Sequence, residues 1–270
     1  MTRVSALLIS TLLLAAPGAA QTGAGDMPLG LVSARILPGW TDPDGTRVSA
    51  LELVLEPGWK TYWRSPGDSG LPPSFGWEGS DNLDRITFHW PAPEAINSGG
   101  SQELGYHDRL LLPFTASPQQ AGKPIGLTSQ IELGLCENIC VPAHLDLSAP
   151  QPGGAPDRRI MAAMDETPRL IADLPDCRIS DIADGLRVEM ALTGAAPGLA
   201  APELAAIEVE GKPDLWVSGA EIETRPDGTF AVAELVGPEA APFPLDPRAL
   251  RLTVIGADEA VETLGCRLTP

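Results

Sequence analysis

What most constrains the fold of this chain is its punctuation. Among 270 residues, 28 glycines and 28 prolines fall between short runs in which apolar residues alternate with polar or smaller ones. Period-two alternation turns one face of a strand towards a core, and frequent turn residues keep each strand short. In the first half, Leu51, Leu53 and Leu55 alternate, as do Ile86, Phe88 and Trp90, then Leu110, Leu112 and Phe114. Leu127, Ile131, Leu133 and Leu135 lead into a pair of cysteines, and Leu145 and Leu147 return from it. In the second half, Leu186, Val188, Met190 and Leu192 alternate cleanly. Ile207 and Val209 pass through Gly211-Lys212-Pro213-Asp214 to Leu215 and Val217. Pro226-Asp227-Gly228 turns Ile222 into Phe230 and Val232, and Gly256-Ala257-Asp258 turns Leu250, Leu252 and Val254 into Val261 and Leu264. Seven or so short strands at this spacing suit an immunoglobulin-like sandwich.

The two β-rich halves are separated by Pro150-Gln151-Pro152-Gly153-Gly154-Ala155-Pro156, a loop by composition. Asp157 after it is predicted to cap a short helix over residues 158–172, with Ile160, Met164 and Ile171 among its apolar positions and Pro175 as its stop. The expected fold is therefore all-β: two immunoglobulin-like β-sandwich domains, residues 25–150 and 176–270, joined by a short helical linker over 151–175. No sequence repeat relates the halves.

The first twenty residues read as a signal peptide. Arg3 precedes an apolar run over residues 6–16, and Pro17-Gly18-Ala19-Ala20 supplies small residues for cleavage near Ala20. The run is shorter than the roughly 20 residues of a membrane span, and no later segment approaches that length. The mature protein is expected to be exported and soluble, with no stable membrane insertion. The formal charge of −18 over the full 270 residues argues against nucleic acid and anionic lipid surfaces as partners, since both select basic patches. No catalytic triad signature, phosphate loop or zinc ligand set is visible, and no cofactor is expected.

Four cysteines in an exported chain are free to pair, in any of three connectivities. Cys136 and Cys140 lie three residues apart within Leu135-Cys136-Glu137-Asn138-Ile139-Cys140-Val141-Pro142, between two predicted strands. Treated as an entropic constraint, a ring of about 5 residues contributes only about 2 kcal/mol. Cys177 and Cys266 open and close the second β region, and a bridge between them would close about 90 residues and contribute about 4.6 kcal/mol. The long-range pair is placed to stabilise, whereas the short-range pair suits thiol exchange, although a small brace on a hairpin remains the bland alternative. Cys266 is read on the same strand face as Leu264 and Leu268. Beside the short pair, Glu137 is the adjacent charge and the tip holds no Lys, Arg or His. At least one thiol is therefore expected to keep an unlowered or raised pKa.

Four stretches carry a resemblance: Pro57-Gly58-Trp59-Lys60-Thr61-Tyr62-Trp63-Arg64-Ser65-Pro66-Gly67-Asp68-Ser69-Gly70-Leu71-Pro72-Pro73, His89-Trp90-Pro91-Ala92-Pro93, Gly105-Tyr106-His107-Asp108, and Leu135-Cys136 through Cys140-Val141-Pro142-Ala143. Through them the first half resembles the N-terminal periplasmic domain of the DsbD/ScsB thiol:disulfide interchange reductases. The Cys-x-x-x-Cys spacing points to the ScsB-like branch, whose extension the second half more faintly resembles. The resemblance implies an immunoglobulin-like domain with a reversible Cys136–Cys140 disulfide, taking electrons from a membrane-embedded thiol reductant and passing them to periplasmic thioredoxin-like proteins. It implies a cap loop over residues 93–106, in which Gly99-Gly100 suits a mobile flap. It also places Tyr62, Trp63 and Tyr106 as aromatic neighbours of the sulfurs, with ordinary core packing as the alternative for each, while Glu137 and Pro142 adjoin the cysteines in sequence.

The chain ends at Pro270 without membrane helices or a terminal thioredoxin-like domain, so it is expected to rely on a separate membrane reductant or to act as a standalone carrier. Two other classes stay open. One is a non-catalytic periplasmic docking module with two structural disulfides. The other is a Cu(I)-handling protein using Cys136, Cys140 and His144, an idea prompted by the association of the ScsB-like branch with copper stress and by the softness of thiolate ligands. No Met-rich or His-rich cluster supports the latter, and no metal site is assigned.

Overall fold

A computed structural model describes residues 27–98, 101–192, 202–212, 214–257 and 259–269. The predicted leader, with its cleavage site at Ala20, lies outside the described residues, as do Gly99 and Gly100. Strands are numbered in chain order. The first half forms two facing sheets. One runs β1 (Leu31–Thr41), β2 (Arg47–Leu55), β8 (Arg109–Pro118), β5 (Leu83–Phe88). The other runs β10 (Cys140–Ser148), β9 (Thr128–Cys136), β3 (Lys60–Tyr62), β7 (Ser101–His107), β6 (Glu94–Ser98), with β4 (Ser74–Gly76) paired to β9. All of these pairings are antiparallel. The inward residues are the ones the alternation marks: Leu51, Leu53, Leu110, Leu112, Ile131, Leu133, Leu135 and Leu145 share one buried cluster with Trp63, Trp90 and Tyr106. An aromatic group closes one end, with Phe75 and Phe88 rings 4.4 Å apart and Trp77 and Phe114 rings 5.3 Å apart. Rings at such separations are attractive beyond their buried area.

The second half repeats the architecture. One sheet runs β11 (Arg169–Leu170), β19 (Ala260–Leu264), β18 (Leu250–Ile255), β14 (Leu204–Val209). The other runs β15 (Trp216–Val217), β17 (Gly228–Val236), β13 (Gly185–Ala191), β12 (Asp176–Ile182), β20 (Arg267–Leu268), with β16 (Glu221–Arg225) paired to β17. Leu186, Val188, Met190, Ile207, Leu250, Leu252 and Val254 fill its core. The chain is all-β, with immunoglobulin-like sandwich architecture in both halves and one short α-helix among the described residues.

That helix, α1 (Arg158–Asp165), starts where the sequence predicts. The Asp157 side chain accepts a hydrogen bond from the Arg159 backbone N–H at 2.8 Å. It stops seven residues before residue 172, however, because Pro168 disfavours helical backbone at Thr167 and cannot donate into the helix ladder. Leu170 instead joins β11, which pairs in parallel with β19, so the stretch read as linker also adds an edge to the second half's sheet.

A second correction concerns Cys266. It is 8% exposed, whereas Leu264 and Leu268 are 38% and 58% exposed, so the three do not share a face. Gly265 between β19 and β20 has φ +82°, a left-handed turn that resets the alternation and swings Cys266 inward. There Cys266 is bonded to Cys177 with the Cα atoms 5.8 Å apart. Strands β12 and β20 also pair, Cys177 opposite Leu268.

The first half is tied shut by a buried cation. Arg47, 1% exposed at the start of β2, donates to the carbonyls of Ile125 (2.9 Å), Pro38 (3.1 Å) and Pro150 (2.5 Å). Burial lowers its pKa from the ordinary arginine value. Arg47→Met should leave those carbonyls without their donor and cost about 3 kcal/mol, read as a lowered urea midpoint with an unchanged slope.

Candidate redox site at the end of a hairpin

Strands β9 and β10 form a hairpin in unbroken register from Thr128–Ser148 to Cys136–Cys140. The two cysteines are therefore the last cross-strand pair before the Glu137-Asn138-Ile139 turn, where the Glu137 N–H donates to the Ile139 carbonyl at 3.1 Å. Cys136 and Cys140 are joined by a disulfide, with their Cα atoms 4.1 Å apart. The two sulfur-bearing residues sit in unlike surroundings. Cys136 is 1% exposed, while Cys140 is exposed on the rim beside the open turn.

Of the three aromatic residues expected near the sulfurs, the structure brings Tyr62 to them. Its hydroxyl lies 3.1 Å from the Cys136 Sγ and 3.5 Å from the Cys140 Sγ. Burial first, and then the charge and hydrogen-bonding pull of Glu103, push the Tyr62 phenol up to about 12, so it remains a proton-bearing donor at neutral pH. Trp63 and Tyr106 instead pack in the core cluster with Leu135 and Trp90, and the Tyr106 hydroxyl donates to the Pro91 carbonyl at 2.8 Å. The Glu137 carboxylate stands over Gly58, where an added Cβ would come within 3.1 Å of its Oε1. Pro142 is exposed on β10 opposite Gly134.

The segment read as a cap loop forms the β6–β7 hairpin at the edge of this sheet. The cover over Tyr62 comes from elsewhere, the β3–β4 connection over residues 63–73. A Cβ at Gly134 would meet Leu71 Cβ at 2.8 Å and the Tyr62 ring at 3.1 Å, and one at Gly70 would meet the same ring at 3.0 Å. Two side-chain-free positions thus make the slot that holds the phenol against the disulfide. The second half grips this connection. Arg64 stacks on Trp63 at 4.4 Å and binds Glu208 through Nε and Nη2, both at 2.9 Å, and Glu262 through Nη2 at 2.5 Å. The Asp68 carboxylate accepts from the Gly219 N–H at 2.7 Å.

Sequence reasoning missed a buried ion pair beside the cysteines. Lys60 lies directly opposite Cys136 across β3 and β9, and its Nζ meets the Glu103 carboxylate at 2.5 Å, with both side chains about 5–6% exposed. Lys60 falls inside the quoted Trp-Lys-Thr-Tyr-Trp-Arg block, but its partner is 43 residues away on β7 and no local pattern joins them. His144, the third member of the copper set, is four residues along β10 from Cys140, a strand distance of about 13 Å. Its ring lies 3.4 Å from Asp146. Among the described residues no group of three or more His, Cys, Asp or Glu side chains is placed to hold a metal ion.

These features define a class: a β-sandwich whose hairpin end carries a short-range disulfide between one exposed and one buried cysteine. Residues 33–152, under half of the chain, match the family model described as thiol:disulfide interchange protein DsbD, N-terminal. No curated protein matches the chain by sequence. Among solved structures, the N-terminal periplasmic domain of ScsB from Proteus mirabilis aligns with a TM-score of 0.64 at 19% identity, over 88% of this chain and 92% of its own. That likeness is one of fold, and it spans both halves. A marsupial T cell receptor aligns over 88% of this chain and 96% of its own at 10% identity, but its TM-score of 0.17 supports no argument.

Proposed function

We propose that this is a periplasmic thiol:disulfide exchange protein that cycles the Cys136–Cys140 disulfide, relaying electrons between a membrane-embedded thiol reductant and periplasmic thioredoxin-like proteins. The match of residues 33–152 to the DsbD N-terminal family model supports the chemistry and the compartment. Among the described residues no helix is long and apolar enough to cross a membrane. The observation that carries the reading is the asymmetry of the sulfurs, with Cys140 exposed, Cys136 buried and the Tyr62 hydroxyl between them.

Exchange proceeds by attack of a thiolate on a reachable disulfide sulfur, which here is Cys140 Sγ. A reductant thiolate forms a mixed disulfide with Cys140. The Cys140–Cys136 bond breaks, and its electron pair leaves on Cys136 Sγ. Tyr62 is placed to donate to that thiolate, which makes Cys136 a better leaving group. A second thiolate on the reductant then attacks its own half of the mixed disulfide and frees Cys140. The reductant ends as a disulfide, and the pair ends as two thiols after taking up two protons. Transfer to a downstream disulfide runs the same steps in reverse.

The test is the reduction potential of each bridge, from redox-buffer equilibration, alkylation and peptide mapping. Cys136–Cys140 is expected to equilibrate reversibly with glutathione while Cys177–Cys266 stays oxidised. If both bridges resist reduction to below about −300 mV, where structural disulfides lie, the exchange reading is wrong and a docking module replaces it.

A further inference from the structure

The Lys60–Glu103 pair is costly for a structural element. Removing an ammonium and a carboxylate from water costs several kcal/mol per ion, and an apolar pair of similar volume usually stabilises a fold as well or better. Yet both side chains are almost fully enclosed, and they sit on the strand that also carries Tyr62 and on its neighbour. Lys60 is the register partner of Cys136, and directly opposed residues hold their Cβ atoms only about 4.5–5.5 Å apart. The Lys60 Nζ is 5.8 Å from the centre of the Tyr62 ring, and Glu103 acts on the Tyr62 phenol.

Resting on the exchange reading above, we propose that Lys60 and Glu103 are positioning residues that set the reactivity of the buried sulfur. Lys60 supplies the counter-charge to the thiolate that leaves on Cys136 when a partner thiolate takes Cys140. Glu103 holds the ammonium in place and limits its pull, and it competes with the sulfur for the Tyr62 proton. While the bridge is closed, the Tyr62 hydroxyl donates to the Cys136 Sγ at 3.1 Å, a weak acceptor. Once the bridge opens, the Cys136 thiolate is the stronger acceptor, and that hydrogen bond strengthens. Both states then keep a paired ammonium and a satisfied hydroxyl in a site closed to water.

The titratable groups near Cys136 are Lys60 and Tyr62 on β3, Glu103 on β7 and Glu137 on its own turn. His107, the register partner of Lys60 on β7, lies 2.9 Å from the Glu94 carboxylate on β6. Glu137 is exposed, so water screens it more than the buried pair.

Opposite charge changes test the assignment. Glu103→Gln leaves the ammonium uncompensated and should lower the Cys136 pKa, measured in a Cys140→Ala background, by about one unit. In the intact pair, at a pH above the Cys136 pKa, the same variant should shift the glutathione equilibrium about tenfold towards the dithiol, equivalent to about 30 mV. Lys60→Met leaves a carboxylate facing the thiolate and should shift both quantities by a similar factor in the opposite direction. The double variant Lys60→Met/Glu103→Leu should fall between them. If a single variant fails to fold, the remaining one compared with the double variant still carries the sign. A purely structural pair would move both variants the same way, tracking lost stability, or move neither by more than about twofold, and either result overturns the proposal. Should the wild-type pair not equilibrate with glutathione at all, the exchange reading itself falls. Normal equilibration with like-signed variants removes only the role of the ion pair.

Discussion

In Cys136→Ala the surviving Cys140 thiol should alkylate rapidly in the native protein, whereas in Cys140→Ala the surviving Cys136 should be nearly inert. The difference follows from position. Cys140 stands exposed at the rim of the hairpin, while Cys136 is 1% exposed beneath the Tyr62 phenol. Thiol reactions need access as well as thiolate, so iodoacetamide should modify Cys140 at least about tenfold faster than Cys136 at matched pH. Both variants should lose disulfide-reducing turnover, but for different reasons. Cys136→Ala keeps the attacking sulfur and should accumulate mixed disulfides with a thioredoxin-like partner. Cys140→Ala lacks the reachable sulfur and should trap little. Equal alkylation rates, or trapping through Cys136, would reverse the proposed order of attack.

The double variant Cys177→Ala/Cys266→Ala is expected to cost far more stability than loss of the short bridge. The closed segment has a sequence separation of 89 residues, against 4 for Cys136 and Cys140. As a constraint on the unfolded chain these correspond to about 4.6 and about 2 kcal/mol. The long bridge also joins the first strand region of the second half to its last, where β12 and β20 share a parallel pairing centred on Cys177 and Leu268. Its loss should free the end of the sheet, and urea unfolding should show the second half melting ahead of the first. Equal costs for the two bridges would mean that the short ring also braces the hairpin, which would weaken the case for exchange.

The two halves meet beside the site, through Leu204, Ala206 and Ile255 packed into the first half's core and through polar contacts to the β3–β4 connection. The connection that covers Tyr62 is the one held by Glu208 and Glu262 through Arg64, and by Gly219 through Asp68. The second half therefore does more than space the first, because it anchors the segment that keeps the phenol against the sulfurs.

The sequence by itself determined the all-β class, because period-two alternation and turn residues are signals between near neighbours. Thus Leu51, Leu53 and Leu55, or Leu186, Val188 and Met190, face inward as their spacing demands. It determined the hairpin that carries Cys136 and Cys140, since the runs on either side leave room only for a short turn. The early helix stop at Asp165 and the inward turn of Cys266 were also locally encoded, by Pro168 and Gly265, and were missed by giving periodicity more weight than these breakers. Tertiary structure alone decided which sulfur is reachable, because Cys136 is buried by Tyr62 and by a connection that crosses the sheet from another strand. It alone chose Tyr62 over Trp63 and Tyr106 as the neighbour of the sulfurs, and it alone joined Lys60 to Glu103. Burial and pairing of this kind depend on the register between strands far apart in the chain. That register is set by how whole faces pack, so no short window of sequence contains it.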